Sequence, residues 1–433
     1  MNSYSNFKSI KGSVNAPNGF LSAATHCGIR PEGLGKGAAK KNDIALIVSE
    51  TPATVAGMFT TNQVCAAPVK LSEPRASKDL AQAIVVNSGN ANACTGDRGM
   101  KDAQAMTKQV GKSLNIPDED VLVCSTGRIG MVLPMAKVKA GISECVGSLN
   151  ATAKSANETA VAIMTSDKTA KEVAVEFELG GKTVRIGGIT KGAGMIEPGM
   201  SPNGQRPASI SLHATMLCFI TSDAAIAPKP LKAALEEAVA QSFNRITVDG
   251  DMSTNDSVIA LANGLAGNRK ITGSRSADAQ TFQAALNHVC LELAKMMVRD
   301  GEGASRFITI RLNGAKTVKD ADTAARTVAN SQLVRTSWCG GDPNWGRILD
   351  ALGYSDAKVV EEKVDFGYSA PGDKRVKYSL KRGKPTKTTL AELGKIAKLK
   401  EFELHINLNL GKGSALIYSA DLTEEYVTFN RGE

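Results

Sequence analysis

Residues 201–220 read SPNGQRPASISLHATMLCFI, and the change of character inside this stretch sets the organisation of the chain. Ser201–His213 is rich in Pro, Gly and Ser, the composition of an exposed loop. At Ala214-Thr215-Met216-Leu217 an apolar run begins and continues through Ile220. The junction divides the 433 residues almost equally, into 1–214 and 215–433. At about 100–200 residues per domain, a chain of this length holds two or three folding units.

Outward from the junction, short β-branched runs alternate with longer amphipathic stretches. Asp43–Glu50, Gln82–Asn87 and Asp120–Cys124 are predicted buried strands bounded by turn residues. Glu172–Leu179 and Lys182–Thr190 are a predicted hairpin joined at Gly180–Gly181. Helices are predicted over Asp102–Leu114, Asn157–Met164, Pro230–Ser242 and Thr281–Val298. In the last of these Phe282, Leu286, Val289, Leu293 and Met296 share one face. The final third returns to strands at Phe307–Leu312, Phe402–Asn409 and Ser414–Ser419. Elements grouped in runs, without strict βαβ alternation, point to a layered α+β fold.

Composition narrows the function. Hydrophobic residues at 42% and charged residues at 22% are ordinary globular proportions, which excludes disorder and collagen-like repeats. Aromatics are only 4% against 41 glycines, which argues against a single-strand nucleic-acid binder built on stacking rings. No apolar run approaches the ~18 residues of a membrane span. Met1–Phe20 lacks the apolar core of a secretory signal. A cytoplasmic enzyme with neither membrane nor nucleic-acid partner is therefore expected. Part of the net charge of +9 sits in Lys374–Lys400, read as a solvated basic face in preference to an anion-binding patch. Eight scattered cysteines without C-x-x-C and four histidines without H-E-x-x-H propose neither a disulfide framework nor a metal.

Several short motifs have plain structural readings. Gly181-Lys182-Thr183 lacks the first glycine of a phosphate loop and reads as a hairpin turn. Asp249, Asp251 and Asp256 lack calcium-loop spacing and read as local caps and turn acceptors. Three stretches carry more chemistry. Cys124-Ser125-Thr126-Gly127 follows a predicted strand, where a hydroxyl and a backbone N–H can meet a reacting oxygen. Lys191-Gly192-Ala193-Gly194-Met195-Ile196 puts a lysine where the chain leaves a strand, and Arg299–Ala304 holds Glu302 between two glycines at a helix end. The flanking glycines are expected to admit close approach of a ligand.

Taken in order, AGMFTTNQVCAAPV (Ala56–Val69), VNSGNANACTG (Val86–Gly96), CSTG, MTSD (Met164–Asp167), KGAGMI, ATML, SFNRITVDGD, VRDGEGA, GGDPNWGRI and DLTEEYVTFN form a pattern. The chain resembles the ornithine acetyltransferase (glutamate N-acetyltransferase) family of arginine biosynthesis over nearly its whole length. The resemblance implies an αββα layered fold of the self-cleaving, N-terminal-nucleophile type. It implies cleavage between Ala214 and Thr215 into an α chain, 1–214, and a β chain, 215–433, assembled as a heterotetramer. Thr215 would be the nucleophile, with its freed α-amino group, reference pKa about 7.7–8.0, as base. Thr126 and Gly127 would form the oxyanion hole, and Thr165, Lys191, Thr215, Glu302 and Asn430 would contact substrate. A lysine and a glutamate suit the two charges of an amino acid.

The implied reaction is acetyl transfer from N2-acetylornithine to glutamate, with no cofactor and no metal; whether acetyl-coenzyme A is a second donor stays open. Hydrolysis of the same acetyl-enzyme, and a non-enzymatic anion-binding role, are the alternatives. Three features depart from the family pattern: the Ser201–His213 insertion, Arg128 directly after the oxyanion glycine, and an end at Glu433 before a substrate-contacting Ser or Thr.

Overall fold

The structure, a computed structural model, describes residues 7–30, 41–203 and 216–431. Ala214, Thr215 and most of the expected loop (204–213) lie outside the described residues. Ser201, assigned to that loop by composition, is instead buried in the two-residue strand Met200–Ser201, paired with Phe59 and Thr60.

Among the described residues ten strands form the first sheet. Its path runs through Lys8–Ser9, Lys171–Leu179, Lys182–Lys191, Leu217–Ser222, Ser257–Ala262, Ile44–Thr60, Leu80–Asn90 and Val121–Arg128. The expected strand at 43–50 is the first half of a 17-residue strand. That half pairs with Phe20–Thr25 and Leu80–Asn90, and residues 54–59 pair with Ser257–Ala262. Register shifts between Val48 and Ala53, so one strand serves two halves of the sheet.

Side chains alternate between faces along these strands, as period two requires. Val258 and Ala260 pack outward with Leu231, Leu235, Phe282 and Val289 of the helices Pro228–Ala240 and Ala277–Arg299. Ile259 and Leu261 turn the other way and meet Ile47, Ile84, Val86 and Leu122 of the opposite half. Behind those, Leu46, Val85 and Val123 pack on Met106, Val110, Val138 and Ile142 of the helices Gly96–Leu114 and Met135–Ser148. The order helix, sheet, sheet, helix is the expected αββα layering.

Leu217–Ser222 is buried throughout, antiparallel to Lys182–Lys191 on one side and parallel to Ser257–Ala262 on the other. Each large apolar side chain so buried stabilises the fold by about 1.5–3 kcal/mol relative to exposure. The start of the second segment is thus woven into the centre of a sheet begun by the first.

Most of the second segment after residue 300 builds a second sheet, seven-stranded among the described residues and ordered Ile246–Thr247, Gly413–Ala420, Phe307–Ala315, Glu401–Asn407, Asp365–Ser369, Lys377–Lys381 and Lys384–Pro385. This region is not only strands: the helices Val318–Asn330, Gln332–Gly340 and Trp345–Gly353 cover it, a correction to the reading of the final third. Buried Arg326 ties it to the first unit, donating to Asp322, to Glu197 and to the carbonyl of Asn244. The basic stretch is a solvated face, with Lys377 on Glu392 and Lys381 near Asp365. All eight cysteines are free thiols. Among the described residues no cluster of metal-ligating side chains occurs, and no helix is long and apolar enough to cross a membrane.

Candidate active site

A cavity of about 690 Å³ opens where strand ends, two glycine turns and the last helix meet. Thr126, Gly127, Thr165, Lys191, Glu302 and Asn430 all line it, though they come from segments spread over 300 residues of chain.

Thr126 and Gly127 close the strand Val121–Arg128; CSTG is the end of that strand and does not follow it. Thr126 is buried, and Gly127 faces the opening. Gly127 has φ +130, and a Cβ there would lie 2.3 Å from the carbonyl carbon of Gly89. No other residue fits, so the chain must show a bare backbone at this point. Behind it a buried amide pair holds the strand end: Asn255 donates to the carbonyls of Ser125 and Ala91, and Ser125 donates to Asn87.

Lys191 ends the strand Lys182–Lys191 with its ammonium inside the protein. It donates to Thr165 Oγ1 at 2.8 Å and Thr126 Oγ1 at 3.2 Å. Burial pushes its pKa below the ordinary lysine range, opposed by the nearby Asp167 carboxylate. With its oxygen accepting from Lys191, the Thr126 hydroxyl keeps its own proton free to donate elsewhere.

A cage that sequence reading missed sits behind these groups. Lys171 is buried and donates to Asp167 Oδ1 at 2.7 Å and Asp300 Oδ2 at 2.5 Å. Asp167 also accepts from the N–H of Gly192 at 2.7 Å and of Thr165 at 3.0 Å. Burial alone would raise the Asp167 pKa; Lys191, Lys171 and the Gly192 N–H overcome it and hold it at about 2. Arg30 completes the support, donating to Ser88 and to the carbonyls of Ala162 and Met164. The local signal was the Asp167–Lys171 spacing of four within MTSDKTAK, but Asp300 lies 129 residues from Lys171, and Arg30 lies 58 residues from Ser88 and 134 from Met164.

Glu302 forms the facing wall. Its carboxylate accepts from Asn430 Nδ2 at 3.0 Å. A Cβ at Gly194 would fall 2.3 Å from that carboxylate, and one at Gly303 2.4 Å from the backbone N of Tyr426. The glycines expected to admit a ligand therefore admit Glu302 itself and the helix Glu424–Phe429. Asp249 caps the neighbouring turn, accepting from Met195 and Ile196, as read from sequence; burial pushes its pKa up to about 6.

Beside the cavity, the N–H of Met216 donates to the buried carboxyl of Asp256, and its carbonyl accepts from Ser257 at 3.1 Å. Leu217 stands opposite Lys191 in register. The arrangement can stabilise an oxyanion at one wall and bind an amino acid's charges between walls. Thr215 itself lies outside the described residues.

The ArgJ family model matches residues 21–432. The chain belongs to that family. A glutamate N-acetyltransferase of Methanocaldococcus jannaschii is 45% identical over 427 residues, covering 97% of this chain and 98% of that protein. The arginine biosynthesis bifunctional protein ArgJ of Symbiobacterium thermophilum is 44% identical over 421 residues, covering 97% and 98%. Family membership makes the chain an acyltransferase of arginine biosynthesis.

Proposed function

We propose that the protein cleaves itself between Ala214 and Thr215 and then carries acetyl from N2-acetylornithine to glutamate on Thr215. The supporting observation is the convergence of Thr126, Gly127, Lys191 and Glu302 on one cavity beside Met216, the second residue after the proposed cleavage point. In the proposed cleavage, Thr215 Oγ attacks the Ala214 carbonyl, the peptide bond becomes an ester, and water releases the α chain. The new α-amino group then takes the Thr215 hydroxyl proton as the oxygen attacks the acetyl carbonyl. The tetrahedral oxyanion accepts from the Thr126 hydroxyl and the Gly127 N–H. Collapse breaks the amide and expels ornithine with that proton. Glutamate's unprotonated α-nitrogen attacks the ester carbonyl and gives up a proton to the Thr215 α-amino group, which passes it to the departing Thr215 oxygen as the ester bond breaks and N-acetylglutamate leaves.

Lys191 and Glu302 are proposed to face the α-carboxylate and the α-nitrogen, which is acylated in the donor and free in the acceptor. The central position of Leu217–Ser222 in the sheet supports chains that stay together after cleavage. Their assembly as a cytoplasmic heterotetramer belongs to the same proposal.

The test mixes purified protein with N2-acetylornithine, with and without glutamate. N-acetylglutamate formation supports transfer; acetate release without it would assign hydrolysis instead. Denaturing gels should resolve two bands of nearly equal size. Thr215→Ala should leave one full-length, inactive band, and an active wild type that stays intact would sink the mechanism.

A further inference from the structure

Among the described residues five charged side chains line the cavity: Arg30, Arg128, Lys191, Asp251 and Glu302. Three are engaged. Arg30 is bound to Ser88 and two carbonyls, Lys191 to two threonine hydroxyls, and Glu302 to Asn430. Arg128 and Asp251 differ. Both are exposed, and among the described residues neither side chain has a hydrogen-bond or ion-pair partner. The cavity therefore offers two uncommitted charges, of opposite sign.

A transferase that uses one pocket in turn needs such a pair. Donor and acceptor present the same α-nitrogen and α-carboxylate to the reacting centre, but their far ends differ in sign: δ-ammonium on ornithine, γ-carboxylate on glutamate. A wall carrying a single charge would attract one and repel the other. Groups already locked by internal hydrogen bonds cannot adapt between turnovers; free side chains on the rim can.

We infer that Arg128 and Asp251 sort the far ends of the two substrates, Arg128 taking the γ-carboxylate of the acceptor and Asp251 the δ-ammonium of the donor. This rests on the transferase reading above. Arg128 ends the strand that carries Thr126 and Gly127, and Asp251 sits past the turn that Asp249 caps, so both charges line the cavity that holds the proposed reacting centre.

The test measures KM for each substrate in Arg128→Gln and Asp251→Asn. Exposed pairs are weak, so each effect is roughly three- to fivefold. R128Q should raise KM for glutamate and lower KM for N2-acetylornithine, because the repulsion felt by the δ-ammonium is gone. D251N should do the reverse. Arg128→Lys keeps the charge and should restore glutamate KM, whereas a steric role of Arg128 in the turn would not be rescued. R128Q should also narrow the preference for glutamate over neutral glutamine as acceptor, and high salt should erase much of the difference. Shifts of both substrates in the same direction, or in neither, would overturn the sorting role while leaving the transferase reading intact. A wild type that forms no N-acetylglutamate would instead remove the reading on which it rests.

Discussion

The two walls of the cavity are built by different means. The wall of Thr126 and Lys191 comes from strand ends backed by buried hydrogen bonds, with Thr165 joining it from the bend after the helix Ala153–Ala162; Thr126 is 1% exposed and Lys191 2%. The wall of Glu302 and Asn430 comes from a helix end and a six-residue helix whose tip is open to solvent. On the proposed mechanism the oxyanion donors Thr126 and Gly127 sit on the first, together with Lys191, whereas Glu302 and Asn430 on the second serve substrate recognition alone. A site on strands is held more precisely than a site on loops.

The contrast breaks most readily at Thr126. If its proton serves the oxyanion, Thr126→Ala should lower turnover by about 10²–10³ while affecting KM far less. Unchanged turnover in a folded variant would assign Thr126 to packing and leave the rigid wall without its chemical reason.

Next in size is the cage behind that wall. The Asp167 carboxyl is held at about 2, below the ~3.9 of an unfolded chain. A depressed acid contributes stability that is complete above about pH 4 and lost as the pH falls through about 2. From this group roughly 2–3 kcal/mol is at stake. Urea unfolding should show the wild type losing that increment between pH 5 and pH 2, and Asp167→Asn lacking that part of the slope. Parallel curves for the two proteins would mean the cage is not electrostatic.

How much of this was legible follows from the distance between partners. Strong local periodicity or a tight turn showed through, as in the hairpin of Lys171–Leu179 and Lys182–Lys191 and the helix Ala277–Arg299. The strand Ile44–Thr60 was cut short because Glu50-Thr51-Pro52 reads as a stop, whereas the chain bulges there and continues. Val318–Asn330 was missed because its buried face is mostly alanine, at 321, 324, 325 and 329, which gives little contrast between faces. Thr126, Lys191 and Glu302 were legible through motifs at chain turns, and the cavity does bring them together. Asn255 and the Asp167–Lys171–Asp300 cage were not, because their meaning lies in contacts across a hundred or more residues.

The smallest expected effect tests the open wall. Asn430 makes a single side-chain bond to Glu302 besides one to the carbonyl of its own helix, and it is exposed. A bond of this kind is worth about 0.5–1.5 kcal/mol, or roughly a two- to tenfold change in an equilibrium constant. Asn430→Ala should therefore raise KM for both substrates by several-fold, because it frees the Glu302 carboxylate to move. Turnover should fall less than KM rises, since the oxyanion wall is untouched. Glu302→Gln combined with Asn430→Ala should cost less than the sum of the two single changes if Asn430 acts through Glu302. Full additivity would separate them and make Asn430 an independent contact. A loss in turnover as large as that of Thr126→Ala would erase the distinction between the two walls.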